Sequence, residues 1–404
     1  MSTKLSISKT TTSAAKTSAD VKKRRGDIFS SRIKANIRTY TMISVLVVIW
    51  ITFTIVTKGM FLSSRNLALL ARQASVTSVL AIGMVFVIVA GHIDLSVGSV
   101  LGLCGGVLAI LQSRMGWGDV PTLAVVILMG IVIGAWHGYW VAYRKVPAFI
   151  VTLGGYLMFR GMLLGLTKSV SISLSSPFLK AIGQSYLPKE IGMVFGVVAV
   201  IATIILILRG RASREKYNLE VPPMYQSILK ICLFSIFIIG FVLVMNDYEG
   251  IPIPVIIVLC LTLIFNFLAI KTKFGRSVYA IGGNPEAAML SGINNKKYTM
   301  LVFIISGLLS AVAGAILTGR LNAATSNAGS MAEMDAIAAC VIGGTSMTGG
   351  VGSIPFALIG ALVMTSLDNG MSLLNTESFW QQIIKGLILV LAVWVDMSTK
   401  NNRK

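Results

Sequence analysis

Charge is scarce in this chain. Of its 404 residues only 12% are Asp, Glu, Lys or Arg, while 55% are hydrophobic and the mean hydropathy is +0.82. Soluble domains carry roughly twice that share of charge, so a globule dissolved in water is excluded. Acid is scarcer still, with 15 Asp and Glu against 35 Lys and Arg. The net charge of +20 does not point to nucleic acid, because basic residues in short loops beside apolar runs lie against anionic lipid head groups. The expected surface partner is membrane lipid, with no nucleic acid.

Reactive side chains are equally few. Two histidines, His92 and His137, rule out a histidine-rich zinc centre. Cys104, Cys232, Cys260 and Cys340 lie far apart inside apolar runs, so neither a disulfide framework nor a metal site is expected. There is no G-x-S-x-G nucleophile elbow, although counting alone leaves a Ser, His and carboxylate triad open. The nearest approach to a Walker A loop is GTSMTGGVGS from Gly344, where Gly344 and Gly349 have the right separation. Gly350 and Val351 follow in place of Lys and then Ser or Thr, so the chain is not expected to hold ATP. The reading is a non-catalytic protein with no cofactor of its own.

What is present is a series of apolar runs of roughly 17 to 25 residues, the length that crosses a bilayer as a helix. The fold class is therefore all-α, a polytopic membrane helix bundle of 10 to 12 crossings. The run from Ala336 to Leu367 is too long and too Gly-broken for one helix, and reads as two crossings or a re-entrant pair. Residues 1–39 form a basic tail rich in Ser, Thr and Lys without the apolar core of a secretory signal. Residues 40–397 form the membrane domain with a polar loop at 271–297, and 398–404 a short basic tail. Placing both termini in the cytoplasm puts 25 of the 35 basic residues inside, as basic residues prefer. Glu333 then falls in an outer loop.

One polar passage interrupts the runs. AGHIDLSVGS, Ala90 to Ser99, sets an aspartate where a helix breaks. Asp94 or Ser96 is expected to cap the next helix, and Asp94 is also a candidate for a substrate path, since an intramembrane charge needs protein or water around it. After the break, Gly98, Gly102 and Gly106 recur every four residues, a bare face on which another helix can pack. VGSVLGLCGGVLA from Val97 is echoed by VGSIPFALIGALV from Val351, which suggests an internal repeat. Arg160 either snorkels or pairs with Asp94 or Asp368, and Lys385 reaches the outer interface. Trp136, Trp140 and Tyr143 beside Arg144 and Lys145 read as an interfacial anchor.

In the loop FGRSVYAIGGNPEAAMLSGIN, Asn284 suits an N-cap, Pro285 the first helical position, Glu286 the helix N-terminus and Gly292 the stop. Such a helix of about two turns is marginal alone in water and is stabilised by docking against something.

Together GMVFVIVAGHIDLSVGSV, YRKVPAFIVTLGG, this loop, AIAACVIGGTSMTGGVGS and SLDNGMS resemble the permease subunits of bacterial sugar ABC importers, the group serving ribose, galactose, arabinose and xylose. WHGYWVAYRKVP, GQSYLP and NDYEGIP carry a finer match to its xylose branch. The resemblance runs from about Tyr40 to the C-terminus. It departs at His92, where the family usually has glycine or glutamate. It implies an inner-membrane permease that makes no bonds itself, acts as a dimer with a second copy, works with a cytoplasmic ABC ATPase holding ATP and Mg, and takes a monosaccharide from an extracytoplasmic binding protein. Glu286, Ala287, Ala288 and Gly292 resemble the coupling loop of such permeases, so the segment Asn284, Pro285, Glu286, Ala287, Ala288, Leu290 and Gly292 is expected to dock on the ATPase, with Ala287, Ala288 and Leu290 as its apolar face. A neutral polyol needs hydroxyl, amide and backbone groups in place of water. Besides Asp94, the candidates are Ser96, Ser99, Thr345, Ser346, Thr348 and Asn369, all placed near Gly-rich breaks. The competing reading is an ion-coupled sugar symporter; a membrane enzyme acting on lipid is a third.

Overall fold

Apolar residues too continuous for a helix with one polar face give helices that differ chiefly in how much of themselves they hide. The computed structural model describes residues 42–219 and 221–401; the expected tail at 1–39 lies outside them, and of the expected tail at 398–404 the first four residues belong to the last helix. The chain divides into two units. In the first only 42–47 are described, as the opening turns of an apolar helix, α1 (Met42–Val56). The second, from Val48 on, holds α2 (Ser64–Val89), α3 (Val97–Ala109) ending in a π turn (Ile110–Arg114), α4 (Asp119–Ala142) and α5 (Ala148–Thr167). It continues through α6 (Pro177–Gln184), α7 (Lys189–Lys216), α8 (Met224–Tyr248), α9 (Ile253–Lys271), α10 (Lys273–Gly283) and α11 (Pro285–Leu290). It ends with α12 (Asn295–Leu321), α13 (Ala332–Ile342), α14 (Ile354–Leu373) and α15 (Ser378–Asn401). The strands among the described residues form one antiparallel ladder of two residues each, Ile172–Ser173 on Ala323–Ala324.

Nine of these helices are long and apolar enough to cross a membrane, and Met42–Val56 and Ser378–Trp394 are shorter apolar ones. Helix α2 lies in the centre with 83% of its most apolar window buried, whereas α7 and α8 bury only 11% of theirs and present Phe234, Phe237 and Ile236 outward. In lipid, apolar side chains gain nothing by burial against each other, so close approach of backbones decides which helices sit inside. Gly130, Gly134 and Gly138 of α4 meet the backbone of α12 at Gly307, Phe303 and Met300, where no Cβ would fit. The expected stripe on α3 works the same way. Gly98 abuts Glu333 and Gly329, Gly102 abuts Ala328, and Gly106 abuts Leu163 of α5, so its partners are α5, the first turn of α13 and the loop before it.

The run from Ala336 to Leu367 breaks at 343–353, between α13 and α14. With 11 residues, α13 is roughly 16 Å long at ~1.5 Å per residue, about half a bilayer, and so cannot cross alone. The Val97 and Val351 echo is not in register: Val97 is the first residue of α3, whereas Val351 lies three residues ahead of Ile354, where α14 starts.

Candidate functional site

The first break is built by a turn that glycine permits. Helix α2 closes with Gly91 at φ 83, the Gly91 amide donating to Ile88 O and the His92 amide to Val87 O at 2.9 and 3.0 Å, the paired bonds of a left-handed C-terminal stop. Asp94 follows, 2% exposed. Its Oδ1 accepts from the Ser96 amide at 2.9 Å and from Ser96 Oγ at 2.6 Å, and its Oδ2 from Ser306 Oγ of α12 at 2.9 Å. The expectation that Asp94 or Ser96 caps α3 is corrected here. Ser96 occupies the cap position with φ −91 and ψ −13 and makes no side-chain cap bond, because its hydroxyl is spent on Asp94. The carboxylate instead folds the loop onto itself and ties it to α12, and Ser99 Oγ donates to Ser96 O.

The second break, 343–353, uses backbone. Ser346 N donates to Val351 O, Gly349 N to Ser346 O and Gly350 N to Val89 O, at 2.8, 3.0 and 2.9 Å. Gly349 and Gly350 both have positive φ, 85 and 75. These three amides are therefore committed to carbonyls within the chain, and the Thr348 amide points to Ser346 Oγ. Thr345 and Ser346 are fully buried and Thr348 is exposed.

Asn369 does not join either break. It lies fifteen residues into α14 and forms a reciprocal amide pair with Asn66 of α2, at 2.9 and 3.0 Å, with Gln73 Oε1 at 3.4 Å. Asn66 lies at the opposite end of α2 from the Gly91 turn, so this pair sits at the other end of the bundle.

Three further expectations change, and a fourth, that for Arg160, loses one of its two alternatives. Arg160 pairs with neither Asp94 nor Asp368: it donates to Ala328 O at 2.7 Å and to Asn327 Oδ1 at 2.6 Å. Lys385 does not reach outward but bridges Asp335 of α13 and Asp368 of α14 at 3.0 and 2.8 Å, closing three helices around a shared charge. Glu333, assigned to a loop, is in the first turn of α13 and 4% exposed. Ala288 is 4% exposed, packed inward, while Met289 and Leu290 stand out at 62% and 87%. Ala288 is thus an anchor for α11 and does not belong to its outer face.

The capping pattern read for α11 is present. Asn284 Oδ1 accepts from the amides of Glu286 and Ala287, both at 3.0 Å, Pro285 opens the helix, and Gly292 has φ 82. The Ile293 amide donates back to Ala288 O at 3.0 Å, closing the same kind of stop as at Gly91. Asn295 Nδ2 donates to Pro285 O at 2.8 Å, which fastens α11 to the start of α12. Of the aromatic residues near Arg144, Trp136 meets Trp140 edge-on at 6.4 Å, while Tyr143 stacks on Tyr139, whose ring centre lies 5.4 Å from the Arg144 guanidinium.

Residues that sequence reasoning missed had a faint signal. Ser306 is a polar side chain inside an apolar run, which in a membrane implies a partner; its partner is Asp94. His137, 2% exposed with no hydrogen-bond partner on Nε2, packs edge-on against Phe159 at 5.6 Å. Among the described residues no cluster of His, Cys, Asp and Glu could hold a metal ion.

A many-helix membrane bundle with two breaks between its helices is an architecture suited to a transport permease. The model of the family described as branched-chain amino acid transport system / permease component matches residues 66–393, and the chain belongs to that family. It is 48% identical over 372 residues to the xylose transport system permease protein of Escherichia coli, covering 92% of this chain and 95% of that one. It is 49% identical over 365 residues to the protein of that name from Haemophilus influenzae, covering 90% and 97%. The ribose import permease protein of Bacillus subtilis is 34% identical over 338 residues, covering 83% and 86%. No solved structure matches.

Proposed function

We propose that this chain is the membrane-spanning, non-catalytic subunit of an ATP-driven importer of D-xylose or a related pentose, working in the bacterial inner membrane. Its partners in this reading are a second copy of itself, a cytoplasmic ABC ATPase that holds ATP and Mg, and an extracytoplasmic sugar-binding protein. Similarity to xylose permeases over more than nine-tenths of the chain supports the sugar, and the distribution of basic residues supports cytoplasmic termini. The observation that carries the coupling is the apex of α11, where Leu290 is 87% exposed on a helix capped at both ends. An apolar side chain held rigidly in water beyond the bundle is what a groove on a partner would take.

In this mechanism ATP binding draws the ATPases together, α11 is carried with them, and the bundle turns from inward-facing to outward-facing; hydrolysis resets it. The sugar path runs by the two breaks, where Asp94, Ser96, Ser99, Thr345, Ser346 and Thr348 supply polar groups as the breaks part. Asn369 would meet the sugar at another depth.

The test is co-purification of the ATPase with Leu290→Asp and Met289→Asp, alongside uptake of xylose, ribose and arabinose. Both variants should insert normally, lose the ATPase and lose uptake. Retention of the ATPase by both would remove the docking assignment. Uptake of ribose in preference to xylose, with the cognate binding protein present, would remove the sugar assignment.

A further inference from the structure

Three segments distant in sequence converge at the base of the α10–α11 hairpin. Helix α10 buries Val278 and Ile281, and Phe274 packs against Phe86 of α2 at 5.7 Å. From the same helix the Tyr279 hydroxyl donates to Gly352 O at 2.8 Å, across 73 residues, into the loop of the second break. One turn further on, Gly282 leaves no space for a Cβ, because the Val89 carbonyl and the Gly350 amide occupy it. Those two groups are themselves hydrogen-bonded at 2.9 Å. A Cβ on Gly349 would lie 2.7 Å from Gly282 O, and one on Gly350 2.9 Å from Gly283 Cα.

The last residue of α2, the loop 343–353 and the end of α10 therefore touch backbone to backbone. Such a junction has no rotamers with which to absorb a displacement, so movement of one member must be shared by the others. Val89 leads within two residues to the Gly91 turn and within five to Asp94, while Gly350 and Gly352 lie inside the second break. On its other side Gly283 is followed directly by Asn284, the cap of α11.

We infer that Tyr279 and Gly282 are positioning residues that transmit movement of the α10–α11 hairpin to both helix breaks at once. The inference rests on the reading of that hairpin as the element that docks the ATPase. Tyr279 tethers the hairpin to the second break, and Gly282 lets it seat on both. Neither residue touches the ATPase or the sugar, so their loss separates hydrolysis from transport.

The experiment uses the full complex of permease, ATPase and sugar-binding protein in proteoliposomes, with ATP hydrolysis and xylose uptake read from the same vesicles. Tyr279→Phe keeps the ring and removes one hydrogen bond; uptake per ATP hydrolysed should fall about threefold to tenfold, with the ATPase retained. Gly282→Ala forces the junction apart and should lower that ratio by about tenfold or more. A purely structural role would lower complex abundance, hydrolysis and uptake together and leave the ratio unchanged, which would overturn the inference. Should Gly282→Ala fail to assemble, the ratio for Tyr279→Phe decides. Retention of the ATPase by both Leu290→Asp and Met289→Asp would remove the docking reading and this inference with it. Loss of the ATPase there, with an unchanged ratio in Tyr279→Phe, would remove this inference alone.

Discussion

The two breaks interrupt helices in the same membrane domain by opposite means. At the first, a buried carboxylate gathers three hydrogen bonds and binds the loop to α12. At the second, backbone bonds from the Ser346, Gly349 and Gly350 amides hold the loop, and the Tyr279 hydroxyl of α10 adds a side-chain bond to Gly352 O. The first break is thus tied to α12 as well as to the junction with α10, whereas the second is held chiefly by backbone at that junction. The difference predicts that substitutions at the first act on stability and those at the second on coupling.

The largest effect belongs to Asp94→Leu. It strips the acceptor from the buried Ser96 amide, Ser96 hydroxyl and Ser306 hydroxyl, at a cost of about 3 kcal/mol or more for bonds made to a charged group. Membrane abundance and thermal stability in detergent should both fall. Asp94→Asn keeps an oxygen for Ser96 and offers an amide to Ser306, so most of that stability should return. Equal loss in both variants would show that the charge matters in itself and would favour Asp94 as part of the sugar path.

Next in size is Gly350→Val. Its φ of 75 costs a β-branched residue about 1–2 kcal/mol, and Gly283 stands in the way of its Cβ. Uptake should suffer more than thermal stability; the reverse order would erase the contrast between the breaks. Ala288→Trp should unseat α11 from inside, because the methyl it replaces is buried, with a cost of about 1–3 kcal/mol for overpacking. Proteolysis between residues 284 and 292 should accelerate, whereas in Leu290→Asp it should not. The smallest effect is that of Asn295→Ala, which removes the bond to Pro285 O and should cost about 1 kcal/mol, seen as slightly faster amide exchange in α11.

Much of this was legible in the sequence because it is local. The break near Asp94, the Asn284 cap and the Gly292 stop each follow from the residue types within five positions. The glycine stripe of α3 also announced a close approach, though not that a loop would share it. What stayed hidden depends on pairs far apart in the chain. Asn369 meets Asn66 across 303 residues, and Lys385 meets Asp335 across 50, so neither partner can be read from its neighbours. Ala288 was placed on the wrong face because a helix of six residues is too short for its apolar pattern to set a phase; which of Ala287, Ala288 and Leu290 turns inward is decided by contact with the bundle. The Tyr279 bond had no local signal at all.

In the proposed function this permease draws its energy from a separate ATPase. The direct measurement is xylose uptake into proteoliposomes holding this chain, its ATPase and its binding protein, with ATP inside or outside the nucleotide-accessible face and with or without an ionophore that collapses ion gradients. Uptake should require ATP on the side that α11 faces and should ignore the ionophore. Uptake that persists without ATP and is abolished by the ionophore would contradict the account and make the chain an ion-coupled symporter.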